Sequence, residues 1–291
     1  MELLNIFETH LWVFIAIITT VGLMVGSFLN VVIYRLPIMM QRNWRNECYE
    51  YLEIPKNGID EEESLNLSFP GSRCNHCHTT IKPQHNIPVF SYLFLRGKCA
   101  YCQAPISIRY PLVELFTGIV SAIVAWHFGY SVETFFALIL SWALIALSGI
   151  DLDHQLLPDT ITLPLIWLGL FLSLFGFFTD SHSSIIGAIA GYLSLWLVFQ
   201  LFKIVTGKEG MGYGDFKLLA LFGAWLGWQY LPLIILLSSL VGAIIGTSMV
   251  IFAKHDRQKP IPFGPYLAAA GWLALLWGEQ MNQLYLGAVG L

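Results

Sequence analysis

Predominantly apolar runs recur along this chain at 11–37, 110–129, 132–150, 160–178, 184–205, 216–228, 229–253 and 262–279, and they constrain its fold more than any other feature. About 20 such residues in a helix, at ~1.5 Å rise each, cover the ~30 Å hydrocarbon core of a bilayer. The pattern predicts an all-α polytopic membrane protein of about eight transmembrane helices. The run at 216–228 is too short for a straight span and is expected to be a half-helix or to continue from the membrane edge. Pairs of small residues four apart, Gly22/Gly26, Gly187/Gly191 and Gly242/Gly246, are candidate close-approach faces between helices.

Between the first two runs the composition changes. Residues 38–109 carry the acidic stretch Asp60-Glu61-Glu62-Glu63, several prolines and all five cysteines, which predicts a small soluble domain inserted after a first helix that ends at Pro37. The expected organisation is therefore a first transmembrane helix at 1–37, a soluble domain at 38–109 and a helical membrane core at 110–291. Over the whole chain only 12% of residues are charged and the net charge is -4, against a usual ~25% charged. Nucleic-acid partners are not expected from a chain with no basic surface. Residues 1–10 lack a basic start and the first run has no small-residue cleavage site, so the first helix is expected to stay. Lysine and arginine are enriched in cytoplasmic loops. Nine of the fifteen lie between Arg35 and Arg109, and the others are Lys203, Lys208, Lys217, Lys254, Arg257 and Lys259. With eight spans and an external N-terminus all fifteen fall on one side, which places the soluble domain in the cytoplasm.

Two constellations carry chemistry. Cys74-Asn75-His76-Cys77 and Cys99-Ala100-Tyr101-Cys102 form two C-x-x-C knuckles twenty-one residues apart, the spacing of a four-thiolate structural zinc site. A redox dithiol pair or unligated thiols would share that spacing. A domain this small and this poor in apolar residues needs a staple, which favours the metal. His76, His78 and His85 are nearby substitutes, and Cys48 has no partner knuckle.

The second constellation is acidic. Gly210-Met211-Gly212-Tyr213-Gly214-Asp215-Phe216-Lys217 is a glycine-rich turn that delivers Asp215 to the start of an apolar run, and Asp151-Leu152-Asp153-His154-Gln155-Leu156-Leu157-Pro158-Asp159 ends another. Three glycines in five positions allow either a positive φ or a close backbone approach. Ionisable groups at the edge of apolar segments mark function by default. Cleaving a peptide bond without a metal or a nucleophile takes two carboxyls that share a proton, one accepting from water and one donating to the substrate, and Asp151 with Asp215 meets that demand. A lone Asp at position 215 would ordinarily be a helix N-cap, and Asp159 reads as the N-cap of the following span. Asp153 is the alternative essential acid, a supporting partner or a solvated loop charge. Glu114, about one turn into its run beside Arg109, reads as a snorkelling or ion-paired residue, and Lys217 as a solvated charge able to attract a carboxylate.

These motifs resemble the type IV prepilin peptidases, bifunctional leader peptidases and N-methyltransferases of bacterial inner membranes. The resemblance runs from Gly26-Ser27-Phe28-Leu29-Asn30 to Arg35-Leu36-Pro37, through both knuckles and Arg109-Tyr110-Pro111-Leu112-Val113-Glu114, the two aspartate stretches, and Pro262-Phe263-Gly264-Pro265-Tyr266. It implies that Asp151 and Asp215 are the catalytic pair. It also implies that the enzyme removes the short basic leader of prepilins and type II secretion pseudopilins just after a glycine, at the cytoplasmic membrane face. Methylation of the new N-terminus with S-adenosylmethionine would follow, and no glycine-rich loop at a strand end marks a site for that donor. Two rivals are weighed from the residues alone. A proton-coupled transporter would show inverted repeats and acids near the midplane, and a zinc-domain scaffold would leave the paired acids unexplained.

Overall fold

The computed structural model describes residues 10–54, 65–74, 76–252 and 261–289. Lys56, Asp60 to Glu63, Asn75, Lys254, Arg257 and Lys259 lie outside them. The described residues are helical, with two isolated β-bridges and no strand. Five helices are long and apolar enough to cross a membrane by length and composition, which makes this a multi-pass membrane protein. The chain divides into two compact units, Met1–Thr134 and Phe135–Leu291.

In the first unit, α1 (Leu11–Tyr51) is one helix of 41 residues. It was expected to stop at Pro37 but runs through it, because a proline removes only one ladder hydrogen bond and the following Met39–Tyr51 segment is rich in good helix formers. α1 packs on α3 (Arg109–Phe128) through its small face. A Cβ on Gly26 would sit 2.7 Å from the Cα of Glu114, and one on Gly22 would collide with Ser121. This glycine pair is therefore a helix contact. Asn30 donates to the Tyr110 carbonyl at 3.1 Å across the same seam.

Glu114 departs from its expectation. It is 9% exposed, and its Oε2 accepts the backbone N–H of Val89 at 2.8 Å, with the Ser27 hydroxyl as a further donor. Val89 opens the short helix α2 (Phe90–Phe94) at φ +61°, a region that β-branched residues rarely occupy. Glu114 is thus a buried hydrogen-bond anchor between the loop and the helix pair, where its burial is offset by charge-assisted donors.

In the second unit, α4 (Val132–His154) is followed by α5 (Asp159–Ser173), α6 (Ser181–Thr206), α7 (Tyr213–Leu226), α8 (Leu231–Phe252) and α9 (Gly264–Val289), the last kinked at Trp277. α7 is the core. Every residue from Asp215 to Leu226 is buried except Lys217, and its 14 residues reach only about 21 Å. The half-helix expectation therefore holds for this segment. It ends at Gly227, whose φ of +88° reverses the chain and whose N–H bonds the Gly223 carbonyl. Ser184 donates to the Ala224 carbonyl at 2.6 Å and the Trp225 indole to the Leu165 carbonyl at 2.8 Å, tying α7 to α6 and α5.

Candidate active site

Asp151 lies in the last turn of α4. That helix closes where Gln155, at φ +54°, returns its N–H to the Asp151 carbonyl at 2.9 Å. The loop that follows turns Leu157 inward and presents Pro158 as the cap of α5. Asp215 comes from the other side of the loop, in the first turn of α7. The N-cap role that a lone Asp here would ordinarily take is filled by Gly212 instead. Asp215 occupies the third helical position, where its carboxylate accepts the Gly212 N–H. This is the acidic half of a capping box, so the residue is pinned by the backbone it serves. The next residue, Phe216, is fully buried, with the rings of Tyr192, Phe199 and Tyr213 centred 5.9, 5.6 and 5.4 Å away.

The glycines of this turn act by close approach. None of Gly210, Gly212 and Gly214 has a positive φ. A Cβ on Gly214 would sit 2.7 Å from Leu157, and one on Gly210 would sit 2.8 Å from the Phe202 ring. Leu157 is also the neighbour of Gly264, whose added Cβ would lie 3.2 Å from its side chain. One leucine therefore joins the Asp215 turn to the start of α9.

The two carboxyls meet in this nest. Asp151 is 5% exposed and Asp215 8% exposed, and the charge of Asp151 reaches Asp215. Gly264 donates its N–H to Oδ2 of Asp151 at 3.0 Å. The Pro262-Phe263-Gly264-Pro265-Tyr266 motif thus acquires a physical role that was invisible in the sequence: it delivers one backbone donor to one carboxylate. Asp153 is exposed on the outer side of the same helix end.

Asp159 and Lys217 also depart from expectation. Asp159 makes no capping hydrogen bond and sits one residue inside α5. Both of its oxygens accept from the Lys217 ammonium at 2.7 Å, so Lys217 is engaged by Asp159 rather than by Asp215. The pair is half-exposed and clamps the starts of α5 and α7 at the rim of the site.

Gly264 is the position where the smallest change should act chiefly on the Asp151 carboxylate, with the flexible end of Leu157 the next close neighbour. A Cβ there would lie 2.6 Å from Oδ2 of Asp151, and that oxygen is a side-chain end able to swing away. Gly264→Ala is expected to lower turnover about 100-fold by misplacing the acid, with an unfolding midpoint close to wild type. Parallel turnover and thermal-unfolding measurements in detergent check this, and a variant with full turnover would remove the positioning role.

In the first unit, the four thiols of Cys74, Cys77, Cys99 and Cys102 lie within 4.8 Å of one another. Both knuckles are built alike. Cys74 and Cys99 donate their N–H to Thr79 and Ala104, at 3.0 and 2.9 Å, and the residue after each second cysteine, His78 or Gln103, takes a left-handed φ of +56° or +58°. The Cys74 and Cys102 sulfurs are 3.8 Å apart, the edge of a tetrahedron around an ion with sulfurs at ~2.3 Å. Hydrogen bonds from the Thr79 side chain and backbone hold the Cys77 thiol down, at about 6. Although the Ala104 backbone bond lowers Cys102, burial and the neighbouring thiols carry it up to about 12. Four sulfurs this close cannot all ionise without a cation among them, so the donor set fits a metal ion. No histidine belongs to the cluster, and Cys48 is exposed on α1.

Residues 20–128 match the family described as the bacterial peptidase A24 N-terminal domain, and residues 138–247 match the type IV leader peptidase family. Among curated relatives, a prepilin leader peptidase/N-methyltransferase of Stutzerimonas stutzeri is 58% identical, with 94% of each chain covered. Proteins of the same name from Pseudomonas aeruginosa and Legionella pneumophila are 54% and 45% identical, covering 100% and 95% of this chain and 99% and 96% of their own. No solved structure matches.

Proposed function

Because the chain belongs to the type IV leader peptidase family, we propose that it is a membrane aspartyl endopeptidase that removes the basic leader from prepilins and pseudopilins after a glycine. Methylation of the new N-terminus, the second activity in its relatives' names, is proposed to follow. The observation that carries the peptidase reading is the joint burial of Asp151 and Asp215 with a backbone donor on one of them.

In this mechanism the pair holds one proton. The ionised carboxylate takes a proton from a water molecule as its oxygen attacks the scissile carbonyl, and the protonated partner gives its proton to the carbonyl oxygen. The tetrahedral intermediate then collapses: the C–N bond breaks, the proton gained from water passes to the departing amine, and one hydroxyl of the intermediate returns its proton to the partner carboxylate, restoring the shared proton. The Gly264 N–H and the Gly212 N–H fix the two carboxyls, so little reorganisation is needed at the moment of reaction.

The Lys and Arg distribution supports an orientation with the dyad and the cysteine segment at the cytoplasmic side of a bacterial inner membrane. A substrate whose basic leader stays in the cytoplasm while its apolar helix lies in the bilayer presents its cut site there. S-adenosylmethionine supplies an electrophilic methyl group when bound.

We further propose that Cys74, Cys77, Cys99 and Cys102 hold structural zinc. Cys77→Ser is expected to reduce bound zinc from about one per chain to near zero and to lower the unfolding midpoint. Elemental analysis of the purified protein checks this, and an unchanged zinc content would sink it.

The peptidase reading is tested with purified enzyme in detergent and a synthetic substrate carrying a basic leader, a glycine and an apolar helix, with products identified by mass. Wild type and Asp153→Asn should release the leader, and Asp151→Asn and Asp215→Asn should not. A methyl-sized increment on adding S-adenosylmethionine tests the second activity. Cleavage by the double amide variant would reopen the transporter reading.

A further inference from the structure

The short helix α2 presents an exposed apolar face. Phe90, Leu93 and Phe94 stand at the i, i+3 and i+4 spacing that shares one side of a helix, and they are 67%, 67% and 87% exposed. The other side is used within the loop. The Ser91 hydroxyl accepts the Ile87 N–H at 2.8 Å and donates to the Gln84 carbonyl at 3.2 Å, and Gly97 returns its N–H to the Tyr92 carbonyl at 2.8 Å. No Lys, Arg, Asp or Glu occurs in the thirteen residues from Pro83 to Leu95, whereas Lys82, Arg96 and Lys98 on either side are all exposed.

The depth of this face is set by Glu114, whose carboxylate takes the Val89 N–H and the Ser27 hydroxyl. Ser27 lies eight residues inside Arg35, the first charged residue of α1, and Glu114 lies five residues inside Arg109 at the start of α3. At ~1.5 Å per residue, Val89 is held about 12 Å inside the first of these charges and about 8 Å inside the second. At that depth α3 already presents exposed Leu112, Leu115 and Phe116, the surface of a helix in lipid. A non-helical backbone is tolerated there only when its polar groups find partners within the protein. Around α2 they do. Ile87 donates to the Ser91 hydroxyl, Val89 to Glu114, Phe90 to the Pro88 carbonyl at 2.6 Å and Leu93 to the Val89 carbonyl at 3.1 Å.

We propose that residues 83–95 form a re-entrant wedge that inserts Phe90, Leu93 and Phe94 among the acyl chains of the adjacent lipid leaflet, with Lys82, Arg96 and Lys98 at the level of its phosphates. The occupant is lipid because the order of chemistry along the wedge repeats that of α3, apolar inside and cationic at the edge, which suits acyl chains below anionic headgroups. Thirteen uncharged residues are too few to cross, so the chain enters and leaves on one side. The wedge takes part of the segment expected to be a soluble domain into the membrane. It also carries the second knuckle: Cys99 follows Arg96 by three residues, and Ile106 returns its N–H to the Gly97 carbonyl at 2.7 Å. The thiol cluster is thereby held at the membrane surface. The inference needs the multi-pass fold and not the peptidase chemistry.

The test places a small fluorescent noncanonical amino acid at one position of the full chain, held in nanodiscs of phosphatidylcholine and phosphatidylglycerol. Quenching by doxyl-labelled lipids is compared with quenching by aqueous iodide. Positions 90 and 94 report on the wedge, position 119 on the exposed side of α3, and position 51 on the end of α1, sixteen residues beyond Arg35. Doxyl lipids should quench positions 90 and 94 at least about half as strongly as position 119. A doxyl group near the headgroup should act more strongly than one near the chain end, because an interfacial segment enters only about 5–10 Å. Iodide should quench position 51 and leave 90 and 94 largely untouched. Iodide quenching at 90 and 94 equal to that at 51 overturns the proposal, since the face is then in water. Protection from both quenchers overturns it too, since protein then covers the face. Two probe positions keep the result from resting on one substitution.

Discussion

Asp151→Asn and Asp215→Asn should each lower kcat/KM for leader removal by at least about 1,000-fold, a loss of about 4 kcal/mol of transition-state stabilisation. The double amide variant should be no slower than either single one. Groups that share one proton act as a unit, so removing either ends the exchange and removing the second costs nothing more. The amide keeps the shape of the side chain and the hydrogen bond from Gly264 to the oxygen of residue 151. It removes a buried ionisable group that folding must desolvate, so the unfolding midpoints of the variants should equal or exceed that of wild type. Initial rates and thermal unfolding on the same preparations separate the two effects. Additive losses in the double variant would mean that the carboxyls work independently, and a fall in midpoint would mean that they are structural.

Legibility from the sequence followed sequence distance. Each knuckle closes over a few residues, and its spacing alone located the cluster that the fold assembles. The apolar runs located the helices because burial in lipid leaves a long contiguous record. Partnerships between distant residues left none. Asp159 reads as a cap because caps are the common local fate of such a residue, but its partner is Lys217, 58 positions away. Glu114 reads as a snorkelling charge because nothing nearby in sequence announces the Val89 N–H. The glycine pairs looked equivalent on paper. Gly22/Gly26 and Gly187/Gly191 meet the backbone or short side chains of other helices, whereas Gly242 meets the Tyr266 ring of α9 and Gly246 the Ile261 side chain just before it, a difference set by what lies opposite. In the same way the motif around Gly264 was visible, while its donor role needed the approach of a helix end 113 positions earlier.

Gly223→Val should be the most damaging substitution outside the site, destabilising the protein by at least about 3 kcal/mol, the upper end of what overpacking usually costs. Gly223 of α7 and Gly187 of α6 meet backbone to backbone, and a Cβ on either would run into the carbonyl of the other. One turn along, a Cβ on Gly191 would sit 2.6 Å from the Leu219 carbonyl. The obstacle is main chain on both sides, so no rotamer change relieves it; only separating the helices can. α7 has nowhere to go, since nearly all of its residues are buried and Ser184 and Trp225 fasten it on two flanks. Any shift it does make is passed to Asp215, about 12 Å away along the same helix, where a displacement near 1 Å is worth roughly 100-fold in rate. Stability and turnover should therefore fall together, in contrast to Gly264→Ala, where turnover alone should fall. Gly71→Ala is the control, because a Cβ there meets no atom within 4 Å, and it should change stability by no more than about 0.5 kcal/mol. Thermal unfolding of the three variants in one detergent decides the matter: a Gly223→Val protein that melts with wild type would mean that the α6 and α7 backbones are not held in contact.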